Sequence, residues 1–230
     1  MKTKRYPVAM SDYYCHYYRT YHDETVSIDP EPFLGGFVRQ LSPGDHVLDV
    51  GCGSGRDLLW MQQKSLTVTG FERSPGLARL AREHAGCGVI EGDFSTHDFA
   101  ALAVDAILMT GALVHVPHDH LPGVLGNILR ALNPASPRRI VYLSLKEGEG
   151  SATDNRGRTF YFWQENDLGN LLSDLGMESL DFKRSLSADG TGQPWLGFVL
   201  RHHGFRSVSY THLTLPTTGH ECRSRWSPYH

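Results

Sequence analysis

Strands and helices alternate along this chain, and the alternation predicts an α/β fold. The expected architecture is a seven-stranded, mostly parallel sheet with a C-terminal antiparallel hairpin and helices on both faces. Three observations carry the prediction. Short apolar runs are separated by segments whose apolar residues recur at helical spacing. Three glycines at alternate positions, Gly51, Gly53 and Gly55, directly follow the first run. The last two apolar runs are joined by a polar, glycine-bearing loop short enough for a hairpin, whereas the earlier strands need helical crossovers.

Each element has its own signal. Six of the ten tyrosines, Tyr6, Tyr13, Tyr14, Tyr17, Tyr18 and Tyr21, crowd the N-terminal segment. Tyrosine joins a large apolar body to a polar tip, so the segment reads as an aromatic helix over a partly wet pocket. Pro30-Glu31-Pro32 punctuates it, and Phe33, Phe37 and Leu41 then mark a second helix. Residues 1–44 are therefore expected to form a helical cap over a ligand pocket. Residues 46–50 read as the first strand, 57–63 as a helix and 66–71 as the second strand. After Pro75 a helix carries Leu77, Leu80, Ala81 and His84 on one face. Residues 88–90 and 105–109 give strands three and four. Residues 122–132 form a helix with Leu125, Ile128, Leu129 and Leu132 inward, and 139–145 the fifth strand. Leu168, Leu171, Leu172 and Leu175 mark a helix ended by Gly176. Residues 180–186 and 195–200 complete the sheet, so the folded domain is expected over 45–203. Residues 204–230 hold no trustworthy period and read as a disordered or artefactual tail.

Composition excludes several functions. Among 230 residues, Lys+Arg 22 against Asp+Glu 25 gives −3. Residues 201–230 hold four Arg against one Glu, which leaves −6 on residues 1–200 and opposes binding to a phosphate backbone. No apolar run approaches the roughly 18 residues of a membrane span, and the basic start leads into polar residues, not a secretory signal. The cysteines Cys15, Cys52, Cys87 and Cys222 form no Cys-x-x-Cys pair. That argues against a zinc knuckle or disulfide scaffold and fits a reducing cytoplasm. His115, His118 and His120 have no matching carboxylate or cysteine pattern, so no metal is expected.

The chemistry is concentrated in Leu48-Asp49-Val50-Gly51-Cys52-Gly53-Ser54-Gly55-Arg56-Asp57. A buried strand ends beside an acid, and glycines that allow close backbone approach lead into a helix. In open parallel sheets this first strand-to-helix turn is where nucleotides bind. A dinucleotide fold wants Gly-x-Gly-x-x-Gly, but Arg56 stands where that third glycine would fall. Glu72 ends the second strand, 21 residues after Gly51, where a carboxylate can accept both hydroxyls of an unphosphorylated ribose. Two acids and no basic phosphate clamp suggest a cationic nucleoside, S-adenosylmethionine.

At these residues the chain resembles the class I S-adenosylmethionine-dependent methyltransferases, over roughly Tyr13 to Arg201. The resemblance implies a Rossmann-like fold, with S-adenosylmethionine as methyl donor and S-adenosylhomocysteine as product. Glu91-Gly92-Asp93-Phe94 looks like the family's adenine site, with Asp93 on the adenine amino group and Phe94 lining the ring. Thr110-Gly111-Ala112-Leu113-Val114-His115-Val116-Pro117 looks like its segment beside the methionine moiety. The chain is most similar to small bacterial enzymes of the ubiquinone-biosynthesis and tellurite-resistance types. It shares with them Tyr13-Tyr14, Gly53-Ser54-Gly55-Arg56-Asp57, Val114-His115-Val116-Pro117 and Gly157-Arg158-Thr159-Phe160. It departs at Cys15-His16, where that group usually carries an acid.

The expected cofactor contacts are therefore Asp49, Gly51, Cys52, Gly53, Arg56, Glu72, Arg73, Asp93, Phe94, Thr110, Gly111 and Leu113. The expected acceptor contacts are Tyr14, Tyr17, His115, Arg158 and Phe160. His115, at the exit of strand four, is the candidate general base or substrate orienter. Methyl transfer from a sulfonium is an in-line displacement, and held alignment can supply about 7–11 kcal/mol of the barrier without a strong base. The expected reaction is methylation of O, N or S on a small molecule by a cytoplasmic monomer or homodimer. A protein or RNA substrate, or a non-catalytic S-adenosylmethionine-binding regulator, is the alternative. DNA is not expected: the strand-four exit lacks the Asn/Asp-Pro-Pro-Tyr/Phe motif used to hold a flipped base.

Overall fold

The structure is a computed structural model that describes residues 9–187 and 190–204. The tail expected at 204–230 lies outside the described residues except for Gly204. Seven strands build the main sheet: β1 (His46–Val50), β2 (Thr67–Glu72), β3 (Val89–Glu91), β4 (Ala106–Thr110), β5 (Ile140–Lys146), β8 (Met177–Leu186) and β9 (Pro194–His202). Their order is β3-β2-β1-β4-β5-β9-β8. The first five are parallel, while β9 runs antiparallel to both β5 and β8. This is the Rossmann-like sheet expected, with its C-terminal hairpin.

Alternation along each central strand feeds two cores. Leu48, Val50, Ile107 and Met109 face one side, with α6 (Leu121–Leu129) and α7 (Glu165–Asp174) supplying Leu125, Ile128, Leu168 and Leu172. Val47, Ala106 and Leu108 face the other. There they meet Leu34 and Phe37 of α3 (Glu31–Val38), Leu58 and Met61 of α4 (Arg56–Gln63), and Ala78 and Ala81 of α5 (Pro75–Ala85). Burial on both faces explains why the central strands read as continuous apolar runs.

Chain reversal occurs between β1 and β4: the chain winds outward from β1 to β2 and β3, then returns to pair β4 against β1. The strand ends separate there and leave a crevice at their C-terminal edge. The N-terminal segment caps that edge as two short helices, α1 (Ala9–His16) and α2 (Tyr18–Thr25), broken at Tyr17. The cap is fixed by Ser74, whose hydroxyl donates to the Tyr14 carbonyl at 2.8 Å while also capping α5.

One element went unforeseen. The glycine- and charge-rich segment after β5 forms a small hairpin, β6 (Ser151–Thr153) and β7 (Thr159–Tyr161). Three-residue strands around a polar turn carry too little pattern to be seen in sequence. The hairpin docks through its backbone, with Tyr161 N–H donating to the Val114 carbonyl at 2.8 Å.

Candidate functional site: two clefts at one sheet edge

The glycine loop owes its shape to close approach. Gly51 has φ +75°, and a Cβ there would sit 2.6 Å from the Ala112 Cβ. Its N–H and that of Cys52 donate to the Phe71 carbonyl at 2.7 and 3.2 Å, which ties the loop to the end of β2. Gly55 has φ +90°, and its Cβ would lie 2.9 Å from the Ala81 backbone. That glycine admits the tight packing of α4 on α5, so the third glycine of the motif has a packing role one residue earlier than in the dinucleotide pattern.

Glu72 is buried at the end of β2. One carboxylate oxygen accepts Gly53 N–H at 3.0 Å and the other accepts Ser74 N–H at 2.8 Å. Burial raises its pKa above the ordinary carboxylate value, and these backbone donors oppose the rise. The side chain therefore holds the glycine loop and borders the cleft at the same time. Asp93 accepts from the Ser95 N–H and hydroxyl at 2.9 and 2.6 Å and lies 3.5 Å from the Arg73 guanidinium. Partial burial would raise its pKa, but Ser95 and Arg73 outweigh that and lower it.

These residues line a first cleft with Gly51, Gly53, Phe94, Thr110, Gly111, Ala112 and His115, roofed by Tyr14 and Tyr21. A second cleft opens on the far side of Tyr14, Tyr21, Thr110 and Gly111, which border both. Its remaining walls come from Phe33, Arg56, Lys146, Arg158, Phe160 and Trp195, among others.

His115 stands at the junction. Its Nδ1 lies 2.6 Å from the Thr159 carbonyl oxygen, which can only accept, so Nδ1 carries the proton. Nε2 therefore accepts from the Tyr14 hydroxyl at 3.0 Å. Burial drives its pKa down to about 4, against the opposing pull of the Thr159 carbonyl. The imidazole is thus neutral and engaged on both nitrogens. Tyr14 is pushed up by burial, with the Arg158 charge opposing.

Several expected contacts sit elsewhere, each for a physical reason. Cys52 turns its thiol into the core against Gly70, and Leu113 is 1% exposed within the apolar core. Tyr17, expected on substrate, is 56% exposed and packs on Tyr13 outside both clefts, because the helical break turns it outward. Arg56 leaves the first cleft: Asp57 binds it at 2.7 and 2.9 Å, and it lines the second. Asp49 lies beneath the loop, its Oδ2 buried without a hydrogen-bond partner; burial and nearby Asp57 raise its pKa well above the ordinary range. Tyr21, Lys146 and Trp195 line the clefts but were not foreseen. Lys146 ends a parallel strand, a position from which strand order could have found it. Trp195 reaches the edge only because β9 runs antiparallel.

A family profile described as a methyltransferase domain matches residues 47–135, from β1 to just beyond α6. Residues 47–135 thus carry a methyltransferase domain. Among curated relatives of the chain, an uncharacterised RNA methyltransferase of Nitratidesulfovibrio vulgaris is 32% identical over 117 residues, 45% of this chain and 23% of that protein. The protein-L-isoaspartate O-methyltransferase of Syntrophotalea carbinolica is 31% identical over 109 residues, 43% of this chain and 48% of that protein. The chain thus spans less than half the length of either. The crystal structure of the Burkholderia thailandensis 1,6-didemethyltoxoflavin-N1-methyltransferase, with 1,6-didemethyltoxoflavin and S-adenosylhomocysteine bound, shares the fold. Its TM-score is 0.69 at 21% identity, covering 88% of this chain and 93% of that one.

Proposed function

We propose that this protein transfers the methyl group of S-adenosylmethionine to a nucleophilic atom of a small molecule. The observation that carries the reading is Glu72, a buried carboxylate bordering the first cleft while it holds the glycine loop. The local chemistry fits the donor. Gly51 leaves no room for a side chain, and Thr110 Oγ1 and Asp49 Oδ2 are buried polar atoms with no protein partner among the described residues. In this reading Gly51 and Gly53 give the backbone cradle, Glu72 accepts the ribose hydroxyls, and Asp93 and Phe94 take the adenine. Thr110 and Gly111 lie beside the methionine end, and Arg73 holds Asp93.

S-adenosylmethionine, when bound, supplies a methyl group already activated by its sulfonium. The chain then has to align the acceptor, exclude water and leave the acceptor in a nucleophilic protonation state. Tyr14 stands at the wall between the clefts, oriented by His115. With both nitrogens engaged and a pKa near 4, His115 is a positioning residue rather than the base. Acceptors that are nucleophilic without deprotonation by the protein are favoured.

A protein or RNA acceptor is the second reading, favoured by the names of the curated relatives. The aromatic roof and Arg158 and Phe160 of the docked hairpin wall the second cleft and favour a small molecule. The narrower likeness to ubiquinone-biosynthesis and tellurite-resistance enzymes rests on sequence motifs alone. No described helix is long and apolar enough to cross a membrane, and the described cysteines are free thiols, in keeping with the cytoplasm we assign. Calorimetric titration tests the core of the reading. S-adenosylmethionine and S-adenosylhomocysteine should bind in the micromolar range and NAD should not. A folded sample that binds neither would overturn it.

A further inference from the structure

Asparagine adds little to a helix, yet Asn127 stands within α6, and its side chain reaches across to the loop that follows β3. Its Nδ2 lies 3.2 Å from the Phe94 carbonyl oxygen and 2.9 Å from that of His97. Carbonyl oxygens only accept, so this atom is the amide nitrogen, and its two hydrogens serve one carbonyl each. Few side chains can do this: a hydroxyl has one hydrogen to give and a carboxylate has none.

The loop it reaches carries Asp93 and Phe94, which border the first cleft. Many of the loop's own bonds are internal. The Asp93 carboxylate accepts from the Ser95 N–H and hydroxyl, and the Asp93 carbonyl accepts from the Thr96 and His97 N–H groups at 3.0 and 2.9 Å. Such bonds give a turn its shape but not its place on the protein. Its start is placed from β2: Gly92 N–H donates to the Glu72 carbonyl at 3.1 Å, and Arg73 lies 3.5 Å from the Asp93 carboxylate. Its far side rests on the His97 ring, 4.9 Å from the Phe71 and Phe99 centroids, and on Asn127. Ring packing tolerates small slides, whereas hydrogen bonds to two carbonyls set angle as well as distance. Arg130 also pairs with Asp98 at 3.3 Å, but both side chains are exposed and such a pair contributes little.

We propose that Asn127 is a positioning residue for nucleobase recognition. By holding the Phe94 and His97 carbonyls it fixes the turn so that Asp93 meets the 6-amino group of adenine and rejects the 6-oxo group of hypoxanthine. The proposal rests on the reading of the first cleft as the donor site, and it adds the element that sets base specificity there. A carboxylate accepts from an amino group and repels an oxo group, but it discriminates only where it cannot move aside. The brace itself is firm: α6 is anchored in the core by Leu125 and Ile128, independently of the loop. Without the amide, the turn can shift and both bases are met on nearly equal terms.

The test uses the full chain as wild type and as Asn127→Leu, which keeps the side chain's size and removes both donors. S-adenosylhomocysteine and S-inosylhomocysteine, which differ in the base by amino against oxo, are titrated by calorimetry. Wild type should favour the adenine nucleoside roughly tenfold, and Asn127→Leu should reduce that ratio to about two. S-inosylhomocysteine affinity should stay within about threefold of wild type, which reports that the variant is folded and its ribose contacts are intact. Hydrogen exchange of the unliganded proteins, followed by mass spectrometry, should be roughly tenfold faster in the variant over residues 94–98 and unchanged over β1 and β2. An intact preference in Asn127→Leu, equal losses of both nucleosides, or unchanged exchange over the loop would each overturn the proposal. So would equal affinities of the wild type for the two nucleosides. No binding of either nucleoside to folded wild type, with faster loop exchange in the variant, would sink the donor reading and leave the brace standing.

Discussion

The first cleft and the second cleft share a wall but are built in opposite ways. Beneath its Tyr14–Tyr21 roof the first is assembled mainly from the ends of β1, β2, β3 and β4 and the residues that directly follow them, and its acids Glu72 and Asp93 are fixed by backbone and neighbouring donors. The second draws residues from the cap, α3, α4, β5, the β6–β7 hairpin and the β8–β9 hairpin, and its charged residues among those described are mostly basic. A fixed ligand can be held by local loop geometry repeated at each strand end. A ligand that differs between relatives needs walls that can change separately, and elements far apart in sequence provide them.

That contrast predicts that damage on one side should spare the other. Gly51→Ala should do most harm. It forces a side chain into a left-handed conformation and a Cβ to 2.6 Å from Ala112. A loss of about 2–5 kcal/mol of stability is expected by denaturant unfolding, together with loss of S-adenosylhomocysteine binding. Wild-type stability and affinity would mean that the loop is not tight. Glu72→Ala should weaken S-adenosylhomocysteine roughly tenfold or more, about 1.4 kcal/mol. An unchanged nucleoside affinity by calorimetry would remove the ribose assignment. Trp195→Ala inverts the pattern: its ring lines only the second cleft, so S-adenosylhomocysteine affinity should fall by less than about threefold. A loss as large as that of Glu72→Ala would show one continuous site rather than two.

The smallest effect concerns His115. An ordinary histidine base would make kcat/KM fall below pH ~6.5. With its pKa near 4, His115 stays neutral, so the profile should show no inflection from it between about pH 5.5 and 8. Stability behaves differently. The unfolded chain takes up this proton near pH ~6.5 and the folded protein only near 4, so stability is lost as the pH falls through that window. Urea unfolding of His115→Asn at several pH values should lack that share of the slope. An identical slope in wild type and variant would place the acid sensitivity elsewhere.

How much could be read in advance follows the same division. The seven strands, the glycine turn and Glu72 were legible because each is a local pattern: an apolar run, a turn residue, an acid at a strand end. Arg56 was misplaced because its neighbour Asp57 pulls the guanidinium away from the loop it follows. Leu113 and Cys52 lie within motif segments, yet their side chains face the core. Motif membership fixes a backbone path and leaves the direction of each side chain to packing. Tyr17 fell outside both clefts because a break between two helices rotates the ring by more than sequence spacing reveals.

Sequence by itself determined the doubly covered parallel sheet, the position of the glycine turn and the acid at the end of the second strand. Those features depend on periodicity and on the few residue types that tolerate positive φ. Tertiary structure alone decided the second cleft. It brought Tyr14 to His115 across 101 residues, set Lys146 against Trp195 through the reversed β9, and folded the β6–β7 hairpin so that Thr159 fixes the imidazole tautomer. Contacts between distant elements depend on how the layers dock, and no local pattern encodes that.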